Sequence, residues 1–554
     1  MHDLVIRNAL LLDGLGSPPR HGSLAVAAGR IVELGHVSGS AEQEIDADGL
    51  ALMPGIIDNH THYDAQITWD PWLSPSPALG VTMAVIGNCG FTIAPCRPED
   101  RERVMRNLTQ VEGMSLEALQ SGIRWDFESV PGYLDMLERQ GAALNLAAFV
   151  GHSSVRTYVM GEAATERSAT ADEIGAMKKI VLEAMRAGAI GFSTSTSPAH
   201  NGAGGKPMPS RLADEGELRC LVGALGEAGR GVFMLTKGGH TSVPFLESLA
   251  ADSGRPVVVA ALLHNSTNPE SVFVDLEQIR AAGERGRRMA GAVSCCPLAM
   301  EFTLRSPYTF EGLESWRPAL PLQGKDYEHL LRQRGFRESI RAELAKPAHF
   351  RLFNGEWEKV QVIESRRKAL EQRTLAALAR EAGRDPLDFM LDLALEEGLD
   401  TLFSALLLNS DETAVGRMLR HPSSLVSLSD AGAHLTFFND AAFGLHLLGH
   451  WSRELGVLTL AEAAWRLTGQ PAKLFGIRGR GALRPGYAAD LLLFDPASVG
   501  RGPNRRTFDL PAGQPRLTPE ARGVHGVWVN GTRVAGTEAA LDKLPGRLLR
   551  EFDA

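Results

Sequence analysis

The sequence is poor in cysteine and has no long apolar run. Its 554 residues include five cysteines, odd in number and irregularly spaced: Cys89, Cys96, Cys220, Cys295 and Cys296. Cysteines of this number and spacing do not indicate a framework of disulfide bonds, and they are typical of proteins in a reducing compartment. No uncharged apolar run is long enough to span a bilayer, and residues 1–7 lack the apolar core of a signal peptide. We therefore expect a cytoplasmic protein that has no membrane partner.

Positive charge is also scarce. The chain has 57 Lys and Arg against 66 Asp and Glu, a formal net charge of −9, and no basic run. This balance argues against nucleic acid as a partner. A Gly-rich phosphate loop of the usual spacing is absent too, so a nucleotide-binding role has little support. The apolar share of 44% and the charged share of 22% are those of an ordinary globular protein, and we expect an enzyme with a small-molecule substrate.

Both ends of the chain are rich in short strands separated by turns. Residues 4–6 and 31–34 show this pattern near the start, and residues 489–495 and 526–534 show it near the end. We predict one small β-sandwich domain built from residues 1–54 and 480–540. A tandem of unrelated domains is the alternative.

The long middle of the chain, residues 55–479, alternates apolar strands with amphipathic helices. Thr170 and Glu173 form a predicted capping box that starts a helix, and Gly188 ends it. Strands about 30 to 45 residues apart with helices between them indicate a parallel α/β sheet, and this length favours a (β/α)8 TIM-like barrel. Residues 305–400 are charged and helical, and we predict a helical insertion there. The strand candidates are residues 81–86, 143–150, 191–193, 231–235, 256–263 and 425–428.

His60 and His62 follow the first apolar strand of the middle region. Positions i and i+2 of an extended chain point to the same side, so both imidazoles can meet one metal ion. Taken alone, such a pair is better explained by two surface or turn histidines. The interpretation therefore depends on the residues that end the later strands.

Polar side chains also end the later strands, where a barrel would bring them to one mouth. A buried structural cysteine or a hydrogen-bonded histidine is the plain alternative for any one of them. A series of such residues at successive strand ends instead predicts a shared site. The series comprises Cys89, His152, Lys237, His264 and Asp430.

Five short segments resemble one enzyme family. Residues 54–62 (PGIIDNHTH) and 484–491 (RPGYAADL) resemble signatures of the amidohydrolase superfamily. Residues 87–90 (GNCG), 150–156 (VGHSSVR) and 191–195 (GFSTS) narrow the resemblance to its D-aminoacylase branch, the N-acyl-D-amino-acid deacylases. The resemblance runs to about residue 535 and is weakest between residues 300 and 400.

The resemblance implies a site with one or two Zn²⁺ ions. Cys89 matches the cysteine that bridges or shares zinc, and His60 and His62 match the ligands of the weaker second site. His264 matches a histidine of the tightly bound zinc. Asp430 matches the aspartate that acts as general base and optional ligand.

The chain departs from this family at Lys237. The deacylases place a zinc-binding histidine after a threonine, and here Lys237 follows Thr236. Three explanations stay open: Lys237 is modified and binds metal, His240 replaces it, or metal occupancy differs from the family's.

The expected reaction is hydrolysis of the amide bond of N-acyl-amino acids, preferentially the D forms. Zinc would polarise the carbonyl and activate a water molecule, and Asp430 would take its proton. Lys237 and Arg156 are candidates for binding the substrate carboxylate, and His152 is a further candidate substrate contact. A cyclic amide, a dipeptide or an N-carbamoyl compound is the alternative substrate, and a non-catalytic scaffold is the alternative function.

Overall fold

The structure, a computed structural model, describes residues 1–348, 351–536 and 543–553. Residues 537–540, the last of the predicted segment 480–540, lie outside the described residues. Within the described ranges, no helix is both long enough and apolar enough to cross a membrane.

Strands and helices follow one another in four stretches. The first contains β1 (His2–Leu11), β2 (Arg20–Ala27), β3 (Arg30–Gly35), β4 (Ala41–Asp46) and β5 (Ala51–Pro54). The second contains β6 (Ile56–Asp58), β7 (Val81–Ile86), α1 (Arg101–Glu112), α2 (Leu116–Gly122), α3 (Val130–Gln140), β8 (Asn145–Gly151), α4 (His152–Met160), α5 (Ala171–Ala187), β9 (Gly191–Ser195), α6 (Glu215–Ala228), β10 (Val232–Thr236), α7 (Val243–Ser253), β11 (Val257–Leu262), α8 (Ser271–Glu284) and β12 (Met289–Val293). The third contains β13 (Leu298–Phe302), α9 (Gly324–Arg332), α10 (Arg334–Leu344), β14 (Val360–Glu364), α11 (Leu375–Glu381), α12 (Pro386–Glu396) and β15 (Leu402–Leu408). The fourth contains α13 (Glu412–Arg420), β16 (Ser424–Val426), α14 (Phe443–His446), α15 (Leu460–Leu467), α16 (Gly469–Leu474), β17 (Leu491–Phe494), β18 (Gly500–Leu510), β19 (Gln514–Arg522), β20 (Val524–Val529) and β21 (Thr532–Gly536).

A parallel eight-stranded sheet forms the centre of the molecule. Its order is β16-β12-β11-β10-β9-β8-β7-β6, and helices connect most successive strands. The two outer strands meet just beyond their ends, where Thr61 forms a parallel bridge with Ala431. All six residues of β7 are buried, as expected for a parallel strand covered on both faces. The predicted barrel is confirmed, and it places the ends of β6, β7 and β16 side by side.

Helix α5 shows how local sequence sets the limits of a barrel helix. The Thr170 side chain accepts a hydrogen bond from the backbone N–H of Glu173, and the Glu173 side chain bonds back to the N-cap backbone. Gly188 ends the helix in the left-handed conformation, with φ of +109°. The predicted capping box and stop are confirmed, because both depend only on contacts within a few residues.

The two β-rich ends of the chain share one sheet. Its order is β21-β20-β17-β5-β1-β2-β3, with β4 paired to β1. Strand β5 pairs with β1 on one side and with β17 on the other, so it joins the N-terminal strands to the C-terminal ones. Leu4, Ile6, Leu24, Leu493 and Trp528 are buried together in its core. The sheet agrees with the expected assembly from both ends, and the domain boundaries themselves stay a prediction.

The insertion between β12 and α13 contains both helices and a small sheet. Helices α9 to α12 occupy the region that the sequence predicts to be helical. Strands β13, β15 and β14 add an antiparallel sheet that the sequence analysis did not predict. The insertion has its own apolar core, which includes Phe310, Trp316 and Phe403. Tyr308 stacks on Phe437 in the loop after β16, with ring centroids 5.1 Å apart, so the insertion borders the mouth of the barrel.

Candidate metal centre

Three predicted ligands meet at the ends of β6 and β7. One ligand atom from each of His60, His62 and Cys89 lies within 4.8 Å of the others, and all three residues are buried. In the described part of the chain no other group of three or more His, Cys, Asp or Glu has this spacing. Adjacent parallel strands carry these side chains to the same edge, which is why strand-end positions predicted the cluster.

A tight turn after β7 aims Cys89 at the histidines. Gly87, Cys89 and Gly90 all have positive φ, and a Cβ on Gly90 would lie 2.9 Å from the Ser193 carbonyl oxygen. The turn therefore requires glycine on both sides of the cysteine. The Cys89 Sγ lies 3.5 Å from His60 Nε2. That separation lets both atoms bind one zinc ion at the usual bond lengths of about 2.3 and 2.0 Å.

Asp430 completes the cluster from the loop after β16. Its Oδ1 lies 3.2 Å from His60 Nε2 and 3.5 Å from His62 Nε2. Backbone pairing holds this loop in place, since the His62 N–H donates to the Ala431 carbonyl oxygen at 2.8 Å. The Asp430 side chain is 23% exposed, whereas those of His60 and His62 are 3% and 4% exposed. Asp430 is therefore the member of the cluster that a molecule in the mouth can reach.

The electrostatics of the cluster suit a cation. Burial raises the pKa of the Cys89 thiol, but His60 and His62 lower it to about 6. Burial also raises the pKa of Asp430, and hydrogen bonds and charge from the two histidines hold it well below its usual range. Burial lowers the pKa of His60, whereas Cys89 and Asp430 raise it to about 9. Thiolate, carboxylate and imidazoles that share one buried space are a donor set for a divalent metal.

Glu112, the last residue of α1, also lies beside the cluster. Its Oε1 lies 3.2 Å from His62 Nδ1, and its Oε2 lies 3.6 Å from His434 Nε2. The carboxylate is 3% exposed, and burial raises its pKa. A glutamate on a helix is not at a strand end, so the pattern that pointed to the other residues gave no signal for it.

The comparison with protein families agrees with this geometry. The amidohydrolase family model matches residues 43–288 and 343–535, which is most of the chain. The chain belongs to the amidohydrolase family.

Individual relatives of this amidohydrolase are D-amino-acid deacylases. D-aminoacylase of Alcaligenes xylosoxydans xylosoxydans is 29% identical, covering 99% of this chain and 97% of that protein. A solved D-aminoacylase, described as having a binuclear metal centre, matches with a TM-score of 0.67 at 26% identity over 100% of both chains. N-acyl-D-glutamate deacylase from Bordetella bronchiseptica, solved with zinc and a phosphonate inhibitor, matches with a TM-score of 0.68 at 26% identity, covering 99% of this chain and 100% of its own. These matches confirm the resemblance to the D-aminoacylase branch.

Two of the predicted ligands lie apart from the cluster. The Lys237 Nζ lies 2.7 and 2.6 Å from the two carboxylate oxygens of Asp275 on α8. The Asp275 carboxylate therefore balances the charge of Lys237. His264 is held by its backbone to Asn409, and its Nδ1 has no hydrogen-bond partner among the described residues. His240 is exposed to solvent. His60, His62, Cys89 and Asp430 therefore lie together in this amidohydrolase, and metal binding by Lys237 or His264, or by His240 in place of Lys237, stays a prediction.

The predicted substrate contacts His152 and Arg156 lie in a buried polar network. The His152 Nδ1 lies 2.7 Å from Thr194 Oγ1, and its Nε2 lies 2.7 Å from Glu217 Oε1. Arg156 forms an ion pair with the other oxygen of Glu217. The side chains of His152 and Arg156 have no exposed surface. Arg156 Nη2 also donates to the Arg167 carbonyl oxygen at 3.0 Å. Their complete burial favours structural support for both residues, and their contact with substrate stays a prediction.

The buried ion pair of Arg156 and Glu217 predicts how a change at Arg156 affects the amidohydrolase. Arg156→Met should lower the free energy of unfolding by about 3–5 kcal/mol, because it leaves the buried Glu217 carboxylate without its cation. It should leave the KM of the folded enzyme nearly unchanged. Urea unfolding and steady-state kinetics measure the two effects. As a control, Arg167→Met removes a half-exposed pair with Glu173 and should cost about 0–1 kcal/mol. A stable Arg156 variant with a KM raised tenfold would restore the substrate-binding role.

Proposed function

We propose that this amidohydrolase cleaves the amide bond of N-acyl-D-amino acids at a zinc centre held by His60, His62, Cys89 and Asp430. The observation that carries the proposal is the buried cluster of three ligands beneath a partly exposed carboxylate at the barrel mouth. D-aminoacylase and N-acyl-D-glutamate deacylase align with this chain over nearly their whole length, and they support the substrate class. A non-catalytic scaffold would gain nothing from burying these charged groups together.

The donor set favours zinc and a single ion. Thiolate and imidazole nitrogen are ligands that zinc prefers, and zinc bound there would polarise the amide carbonyl and lower the pKa of a bound water. The second ion of a binuclear centre needs further ligands. Lys237 is paired with Asp275, and His264 lies outside the cluster. We therefore expect one zinc ion per chain.

Asp430 is the proposed general base. Its low pKa keeps the carboxylate charged at neutral pH, and its exposed fraction lets it contact a water molecule beside the substrate. It would take the water's proton and deliver that proton to the leaving amine. His60 Nε2 and His62 Nε2 both face Asp430 Oδ1 from the buried side, so one metal ion between them could bind all three atoms.

The cysteine chemistry favours a reducing compartment such as the cytoplasm. All five cysteines are free. Cys89 binds metal only as a reduced thiolate, and its oxidation would remove a ligand from the cluster.

Metal analysis combined with a substrate screen tests the proposal. Protein purified without chelator should contain about one zinc per chain by elemental analysis. It should hydrolyse N-acetyl-D-amino acids faster than the matching L forms, as followed by release of the free amine. Dialysis against a chelator should remove both zinc and activity, and added zinc should restore them. Protein that holds no metal and releases no amine would contradict the proposal, and hydrolysis of hydantoins alone would redirect it to cyclic amides.

A further inference from the structure

Glu112 occupies an unfavourable place for a carboxylate. It is the last residue of α1, and Gly113 caps the helix with φ of +57°. A negative charge at the C-terminal end of a helix is disfavoured by the helix dipole. Glu112 is also only 2% exposed, so its charge has lost most of its hydration. The stability of α1 therefore does not explain a glutamate at this position.

The surroundings of Glu112 hold it rigidly between two histidines. Its carboxylate oxygens face His62 and His434, at 3.2 and 3.6 Å. The His434 N–H donates to the Glu112 carbonyl oxygen at 2.5 Å, so the backbone is fixed as well. A Cβ on Gly113 would lie 2.3 Å from a ring carbon of Phe437, which shows how closely the end of α1 packs against the loop that carries Asp430.

The two nitrogens of His62 face in different directions. Nδ1 lies 3.2 Å from Glu112 Oε1, an ion-pair distance without hydrogen-bond geometry, and it has no hydrogen-bond partner among the described residues. Nε2 faces Asp430 Oδ1 at 3.5 Å, on the side of the cluster. An imidazole that presents Nε2 to a metal must carry its proton on Nδ1, and a carboxylate beside Nδ1 stabilises that tautomer.

We infer that Glu112 is a positioning residue of the metal centre. Its carboxylate lies beside His62 Nδ1 and favours the proton on that nitrogen, which leaves Nε2 free to bind metal. The backbone N–H of His434 donates to the Glu112 carbonyl oxygen, and this hydrogen bond ties the end of α1 to the loop of Asp430. This inference rests on the proposed zinc centre.

Zinc affinity measured by competition with a chromophoric chelator tests the inference. Glu112→Gln keeps the size of the side chain and removes its charge, and we expect zinc to bind about 10–100-fold more weakly. The visible absorption bands of the cobalt-substituted variant should shift as well. Glu217→Gln is the matched control, since Glu217 is equally buried between His152 and Arg156 but lies outside the cluster. Its zinc affinity should stay within twofold of wild type even if its stability falls.

The outcomes separate the inference from the proposed function. Wild-type protein that binds no zinc would contradict the zinc centre itself. A folded Glu112→Gln variant with wild-type zinc affinity and an unchanged cobalt spectrum would overturn the role of Glu112 and leave the zinc centre standing. If the variant does not fold, imidazole ¹⁵N NMR of zinc-loaded wild type decides, with the His62 signal identified by its loss in His62→Gln. A His62 proton on Nδ1 supports the inference, and a proton on Nε2 overturns it.

Discussion

Replacing Asp430 by Asn should lower kcat for an N-acyl-D-amino acid by about 10²–10⁴-fold. The amide keeps the shape of the carboxylate but cannot take a proton from water at neutral pH. Because His60, His62 and Cys89 are the other three proposed ligands, the variant should retain most of its zinc. Steady-state kinetics and elemental analysis on the same preparation measure both quantities.

Asp440→Asn is the matched control for Asp430. Asp440 is a buried aspartate in the same loop, and its carboxylate pairs with Arg501 at 2.8 Å. Its replacement should lower stability and leave kcat of the folded enzyme within a few-fold of wild type. An Asp430→Asn enzyme that turns over at the wild-type rate would show that another group takes the proton.

Cys89→Ala should weaken zinc binding by more than about 100-fold. The change removes the thiolate that we propose bonds zinc directly, a larger loss than the roughly 10–100-fold expected when a carboxylate partner of a ligand is removed. His60 would also lose a negative neighbour at 3.5 Å. Competition with a chromophoric chelator measures the affinity, and activity should fall with zinc content.

Cys96→Ala provides the comparison for Cys89. Cys96 is a free buried cysteine, but burial raises its pKa to about 12, so it remains a neutral thiol. Its removal should leave zinc affinity unchanged. Equal zinc affinity in the Cys89 and Cys96 variants would mean that the thiolate of Cys89 does not bind the metal.

Much of the barrel and of the cluster could be predicted from the sequence. The capping box of Thr170 and the stop at Gly188 depend on neighbours along the chain, and the structure reproduces both. His60, His62, Cys89 and Asp430 were predictable for a related reason. Each follows the end of a strand, and parallel strands of a barrel bring their ends to one mouth whatever the details of packing.

The sequence by itself determined which residue types lie near the barrel mouth, because strand order and strand ends follow from local patterns. Only the tertiary structure decided which of them meet. Lys237 turned out to pair with Asp275, and Arg156 with Glu217, because each charge is satisfied by a carboxylate from a helix distant in sequence. Glu112 reaches His62 for the same reason: the packing of α1 against the barrel brings together two residues that no local pattern connects.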